Sequence, residues 1–148
     1  MLILFTATVF GRLLVENQIP AIIAESMLSM TQNVYLIWTM IIGFPLFVGM
    51  FMETLAAIMI LTPVLLPVTY SLGIDPIHFG VVLICCLSIG FATPPLGENL
   101  FVASGISDTA LEDITSKTLP FAAVMVVAVF IIAFVPEITL YLPRLLGY

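Results

Sequence analysis

Between residues 26 and 74 the chain carries one ionised side chain, Glu53, and residues 76–97 and 118–136 carry none, His78 counted as neutral. Only 8% of its 148 residues are charged and 62% are apolar, whereas soluble domains are about a quarter charged and half apolar. The mean hydropathy is +1.29. A water-soluble globule is thereby excluded, and the expected class is an all-α integral membrane protein. Crossing a hydrocarbon layer of roughly 30 Å takes about 20 apolar residues, so the chain has room for about five or six membrane segments at most.

The first segment is short for a span: Arg12 and Glu16 bound an apolar run that starts at Met1. It lacks the basic start and small-residue cleavage site of a signal peptide. The expectation is that Met1 lies inside a longer ancestral frame; the alternative is an intact small protein. Ile19-Pro20 opens a second element, with Glu25 opposite Ala21, Ile22, Ala24, Met27, Leu28 and Met30. It reads as an interfacial helix, or as an ordinary helix between spans. Residues 1–33 are thus taken as a truncated span followed by that helix. The three basic residues, Arg12, Lys117 and Arg144, are too dispersed to form a nucleic-acid surface. Cys85 and Cys86 are neighbours pointing different ways on a helix; they read as small core residues, since a thiolate metal site needs further ligands.

Residues 34–52 and 54–72 are each 19 uncharged residues separated by Glu53 alone. Two antiparallel spans joined by a turn of about 2 to 5 residues leave about 25 Å per helix, short of a complete crossing. A re-entrant helical hairpin over 34–72 is therefore expected, turning near Gly49 to Thr54. Non-helical backbone at membrane depth must line protein or a water-filled cavity, and a carboxylate there marks a functional site. If both arms span fully, Glu53 is a loop residue. Gly73 then serves as a helix stop, and Asp75-Pro76 as cap and first-turn proline of a new helix. His78 at its start reads as an interface or capping residue, with a ligand role as the alternative.

That helix is interrupted inside its apolar run by Gly90-Phe91-Ala92-Thr93-Pro94-Pro95-Leu96-Gly97. Pro94 and Pro95 lack the N–H groups that would serve the Gly90 and Phe91 carbonyls, and they push the residues before them out of helical geometry. The prediction over 77–107 is a discontinuous transmembrane helix. Its first half ends in carbonyls that, with the Thr93 hydroxyl and turned backbone at Gly49, suit Na⁺; Pro63 and Pro67 likewise free the carbonyls of Met59 and Pro63. The N–H groups of Gly97, Glu98 and Asn99 could meet an anion. The alternative is a plain proline kink packed against a neighbour. Asp108, Glu112, Asp113 and Lys117 form a polar helical connection, capped by Ser107 or Asp108, to a closing span over 118–136. Residues 137–148, with Tyr141, Arg144 and Tyr148, resemble an interfacial tail.

Gly49-Met50-Phe51-Met52-Glu53 with Ile60-Leu61-Thr62-Pro63 and Pro67, Gly73-Ile74-Asp75-Pro76-Ile77-His78-Phe79-Gly80, the Gly90, Thr93-Pro94-Pro95, Gly97 pattern and Leu140-Tyr141-Leu142-Pro143 resemble the large permease subunit (DctM) of TRAP transporters. The likeness covers nearly the whole chain. It implies one repeat, the C-terminal one, of an inverted-repeat elevator-type transporter in the bacterial cell inner membrane. The transport would be Na⁺-coupled and binding-protein-dependent, importing an organic acid such as a C4-dicarboxylate or a sialic-acid-like carboxylate. The implied partners are the missing N-terminal half of the large subunit, the small TRAP membrane subunit, a periplasmic solute-binding protein, the substrate and the lipid bilayer. The coupling ion is Na⁺, with no organic cofactor. Carried across, the sodium positions are Gly90, Thr93, Phe91 and Gly49; the substrate positions are Glu53, Thr54, Pro94, Pro95, Gly97 and Asn99. An outward hairpin would set the turn at residues 71–78 and the C-terminus on the periplasmic face. The half lacking its first repeat would be incomplete alone.

Two other functions stand beside this one. The chain could be a structural helical membrane subunit without an ion or substrate site. An intramembrane enzyme lacks support, because there is no His-Glu pair at metal spacing and no serine near a base.

Overall fold

Every apolar run folds as helix. The computed structural model describes residues 2–31 and 33–147, and for Ala24, Leu28 and Met30 the backbone alone. The elements are α1 (Leu2–Glu16), α2 (Ile19–Met30), α3 (Val34–Gly49), α4 (Thr54–Ser71), α5 (Pro76–Phe91), α6 (Glu98–Ser107), α7 (Leu111–Phe134) and α8 (Glu137–Leu145). No strand occurs among the described residues.

Helix ends follow the punctuation. Asp75 accepts the Ile77 N–H at 2.8 Å and Pro76 fills the first turn of α5, where its missing donor costs nothing. At the end of α4, Gly73 turns left-handed (φ 72°). The Ile74 and Gly73 N–H groups then return to the Thr69 and Tyr70 carbonyls at 2.9 and 3.0 Å, the pairing of a Schellman stop.

α5 is the hub: it packs against α3, α4, α7 and α8, while α1 and α2 lie mainly on α4. The core between them is aliphatic, with Ile37, Ile41 and Ile42 of α3, Leu65 and Val68 of α4, Phe79, Cys86 and Leu87 of α5 and Val129 of α7 all nearly inaccessible. Cys86 is a core residue and Cys85 packs at its edge; both are free thiols. The outer surface is apolar too, as a membrane solvent requires: Phe121, Val124, Val127 and Ile131 stand exposed along α7.

Three details differ from expectation. α2 buries Pro20 and packs Ile23 and Met27 against the core, whereas Ala21 and Ile22 are exposed; the side chains of Ala24, Leu28 and Met30, and Tyr148, lie outside the described residues. The polar connection is not a separate capped helix. It is continuous with the closing span as the 24-residue α7, whose N-cap is Ala110 without a side-chain bond, while Asp108 ends α6 in a left-handed conformation (φ 53°). Uninterrupted helix through Lys117 lets Glu112 and Asp113 sit in the first turn, where negative charge is favoured. Finally, the Met59 carbonyl, which Pro63 cannot serve from position i+4, faces α1 rather than the helix break. A Cβ on Gly11 would lie 3.1 Å from it, so the glycine admits the α1 backbone there.

α4 (18 residues) and α7 are long and apolar enough to cross a membrane. At 16 residues, α3 reaches about 24 Å at 1.5 Å per residue and does not.

Candidate ion and substrate site at the helix break

α5 stops at Phe91 and α6 starts at Glu98, with Pro94 and Pro95 in the gap and joined by a cis peptide bond. The last turn of α5 tightens. Ala92 N–H donates to the Ile89 carbonyl at 3.1 Å and Thr93 N–H to the Gly90 carbonyl at 2.9 Å, the three-residue pattern common at helix ends. The Gly90 carbonyl is therefore not freed as expected, because this shorter closure draws on residue 93 rather than on the proline at 94. The Phe91 carbonyl has no such recourse: residues 94 and 95, its potential donors at either spacing, are both prolines. Among the described residues no turn or cap hydrogen bond ends on it. The Thr93 hydroxyl donates to the Ile89 carbonyl at 2.6 Å, which leaves its lone pairs available as acceptors.

Against this break lies the end of α3. A Cβ on Gly90 would stand 2.5 Å from the Leu46 carbonyl oxygen and 2.8 Å from Gly49 Cα, and one on Gly49 would stand 2.7 Å from the Leu87 carbonyl oxygen. The two helices meet backbone to backbone at Gly49 and Gly90. No turn or cap bond among the described residues ends on the Gly49 carbonyl. The negative ends of two helix dipoles thus converge, and neither helix carries a basic residue in its last turn. Such a junction favours a cation.

The positive helix ends are not equivalent. Glu53 caps α4, its two carboxylate oxygens accepting from Leu55 N–H at 2.9 Å and Ala56 N–H at 3.0 Å, so the α4 N-terminus already holds an anion of the protein's own. Thr54 follows it, half-buried. α6 begins at Gly97 (φ 49°) without a side-chain cap. Pro95, Glu98 and Asn99 are exposed there, Pro94 is half-buried and Gly97 is buried. Of the residues expected to meet substrate, Gly97 and Asn99 belong to a helix end that has no side-chain cap but carries Glu98 in its first turn, whereas Glu53 is engaged as a cap. Replacing Glu53 with alanine should lower stability by about 1 kcal/mol, the usual cost of a lost cap, read as a reduced unfolding temperature of the chain in lipid nanodiscs; an unchanged temperature would mean that the carboxylate does not cap α4.

His78 is far from a bystander, but it is not at the break. It is 3% exposed, with Nε2 3.0 Å from the Ala133 carbonyl oxygen and Nδ1 2.6 Å from Thr139 Oγ1; it is a buried link from α5 to α7 and α8, and the cap of α5 is Asp75. Trp38, which no sequence motif marked, donates its Nε1–H to the same Ala133 carbonyl at 2.8 Å. A lone tryptophan in an apolar run needs such an acceptor, and that need was the available signal. No cluster of three or more His, Cys, Asp or Glu side chains suited to a metal occurs among the described residues. A cation at the junction would be held by backbone and hydroxyl oxygen, the hard donors that an alkali ion prefers.

Comparison with known proteins identifies relatives of the chain. The family described as the DctM component of the tripartite ATP-independent periplasmic transporter matches residues 1–138. The chain is 44% identical over 135 residues to the isethionate TRAP transporter permease protein DctMQ of Oleidesulfovibrio alaskensis, covering 91% of this chain and 21% of that protein. It is 38% identical to the sialic acid TRAP transporter large permease protein SiaM of Vibrio cholerae, over 99% of this chain and 35% of that one. It is 36% identical to the C4-dicarboxylate TRAP transporter large permease protein DctM of the same organism, over 99% and 32%. The chain thus spans between a fifth and about a third of the length of these curated relatives. With a family match over nearly its whole length, the chain belongs to the DctM component family of tripartite ATP-independent periplasmic transporters.

Proposed function

We propose that this chain forms an ion-coupling part of a large permease subunit in a Na⁺-driven, binding-protein-dependent importer of organic acids in the bacterial inner membrane. The observation that carries the reading is the convergence of two helix C-termini at Gly49 and Gly90, beside a carbonyl at Phe91 whose potential helical donors are both prolines. Na⁺ is taken as cargo by the Phe91, Gly90 and Gly49 carbonyls and the Thr93 hydroxyl. On coordinating the ion the Phe91 carbonyl recovers the interaction that the break withdraws, an imbalance of about 1 to 3 kcal/mol for a buried polar group, while the Gly90 carbonyl and the Thr93 hydroxyl offer lone pairs left over from the hydrogen bonds they already make. Charge compensation at the joint then holds the end of α3 on the end of α5, with α3 and α4 as a re-entrant hairpin.

The open N-terminus of α6, around Gly97 and Asn99, receives the anionic end of the substrate. Pro94 and Pro95 hold the two half-helices apart so that cation and anion sites lie on either side of one short loop. The relatives are named for isethionate, sialic acid and C4-dicarboxylates, and what these share is a negatively charged group on a small polar molecule. The remaining length of the permease, a small membrane subunit and a periplasmic solute-binding protein complete the assembly. Residues 71–78 and the C-terminus face the periplasm.

The test is Thr93→Ala in the complete permease assembled with its partners in proteoliposomes. The Na⁺ concentration for half-maximal uptake should rise about tenfold, the effect of about 1.4 kcal/mol of lost ligation. Thr93→Ser, which keeps the hydroxyl, should restore it. Sodium dependence unchanged in Thr93→Ala would remove the residue from the ion site and favour a purely structural role for the break.

A further inference from the structure

At the end of α5 away from the helix break, α3 starts at Val34, α4 ends at Ser71 and α7 ends at Phe134. α4 and α7 are the helices long enough to cross a membrane, so this corner lies where the apolar layer meets water. A cleft of about 630 Å³ opens there, within the range of about 300 to 1,000 Å³ common to small-molecule sites. Trp38 and His78 in its floor are buried, and their ring nitrogens are already engaged with the Ala133 carbonyl and Thr139. What remains for a ligand is at the rim, where Tyr35, Tyr70, Asp75 and Arg144 are all exposed. Asp75 spends Oδ1 on the Ile77 N–H at 2.8 Å and keeps its second oxygen. Asp75 and Arg144 line one cleft but are not joined as an ion pair.

We propose that this cleft seats the headgroup of a phosphatidylethanolamine molecule from the surrounding bilayer, its phosphate on Arg144 and its ammonium on Asp75. A guanidinium presents paired donors that match phosphate oxygens, and the free carboxylate oxygen accepts from an ammonium N–H. The two exposed tyrosines suit both the interfacial level and a cation near their ring faces. The balance of charge selects the headgroup. One acid and one base in a single cleft are both matched only by a molecule carrying both signs. An anionic headgroup leaves Asp75 opposed, and a choline head, whose nitrogen has no N–H, cannot donate to it. Glu137 lines a separate, smaller cleft with Arg144 and no part of this one. The acyl chains also find a surface: α8, whose Leu140 and Arg144 line the cleft, exposes Ile138, Leu142 and Leu145, as a helix lying against lipid does. A seated headgroup then bridges α8 to the start of α5, a link that the protein does not make by a direct ion pair.

Trp38 is the one tryptophan of the chain and lines this cleft, so its fluorescence reads occupancy at the site itself. In nanodiscs of phosphatidylcholine brominated on its acyl chains, the emission of the full chain is quenched by the lipid alongside. Replacing part of that lipid with unlabelled phosphatidylethanolamine should relieve the quenching about fivefold more effectively, mole for mole, than unlabelled phosphatidylcholine does, a ratio in keeping with one exposed charged contact. Phosphatidylglycerol should do no better than phosphatidylcholine. Asp75→Asn should bring phosphatidylethanolamine down to the level of phosphatidylcholine. Asparagine caps a helix as well as aspartate does, so the start of α5 is preserved while the charge is removed. Arg144→Gln, at an exposed position, should remove the preference as well, because the ammonium is held within reach of Asp75 only while the phosphate is seated. Equal relief by phosphatidylethanolamine and phosphatidylcholine, strongest relief by phosphatidylglycerol, or a preference that survives either substitution overturns the proposal.

Discussion

Gly90→Ala is expected to abolish sodium-dependent uptake by the complete permease and to lower the unfolding temperature of the chain, while Gly80→Ala in the same helix does neither. The added Cβ at position 90 would stand 2.5 Å from the Leu46 carbonyl oxygen and 2.8 Å from both Gly49 Cα and its carbonyl carbon. All three are backbone atoms of α3, so no rotamer change relieves the clash; one helix has to move off the other. Overpacking of this kind costs about 1 to 3 kcal/mol, and separation of the ends of α3 and α5 would pull the Gly49 oxygen away from the break. A Cβ at Gly80 meets nothing within 4 Å, and alanine gains up to about 1 kcal/mol over glycine in a helix interior. Gly49→Ala presses on Leu87 from the other side, at 2.7 Å from its carbonyl oxygen, and should act as Gly90→Ala does. Thermal unfolding in nanodiscs and uptake in proteoliposomes together make the check. Equal stability of the Gly90 and Gly80 variants would mean that the contact between α3 and α5 yields at no cost.

The positions of the helix ends were legible because they rest on local chemistry. Asp75-Pro76 and Gly73 act through their own backbone and the residues beside them, and two adjacent prolines withdraw two consecutive donors, where the single prolines inside α3, α4 and α7 each withdraw one. What could not be read depended on choices among neighbours. Two freed carbonyls followed from an i→i+4 ladder, but the helix ended in a tighter turn, so Thr93 N–H reached Gly90 and only Phe91 was left without a donor. Glu53 was legible as an unusual carboxylate in an apolar run. Its use as the cap of α4 depended on the turn closing one residue before Thr54. The separation of the polar connection from the closing span rested on where charge ends, yet helix propagates through Lys117 and Pro120 regardless. The corner formed by Trp38, His78, Ala133 and Thr139 is closed by hydrogen bonds between residues up to 95 positions apart. Nothing local marks such a site except that a buried indole and a buried imidazole each need partners.

Replacing Pro94 and Pro95 together with alanine should separate function from stability. The new N–H groups at 94 and 95 can bond the Gly90 and Phe91 carbonyls, so α5 can run on by about one turn and take up the oxygens that the break exposes. Stability should hold or rise, because two residues incompatible with helix are exchanged for the best helix former. Sodium dependence of uptake should be lost, because the Phe91 oxygen is then satisfied within the helix and the Thr93 hydroxyl is carried onto a regular helical face. Gly97 limits how far the repair can spread: its φ of 49° and the 2.9 Å that a Cβ there would leave to the Thr93 carbonyl oxygen keep the start of α6 in place, so the anion-facing end should survive. Circular dichroism should register the added helical turn, and uptake measured against Na⁺ concentration should flatten. Uptake that stays sodium-dependent with the turn demonstrably formed would show that the ion is not held by the carbonyls at this break. An anchoring role alone, by contrast, would leave assembly with the partner subunits intact in every one of these variants, which is why coupling and assembly have to be measured on the same preparation.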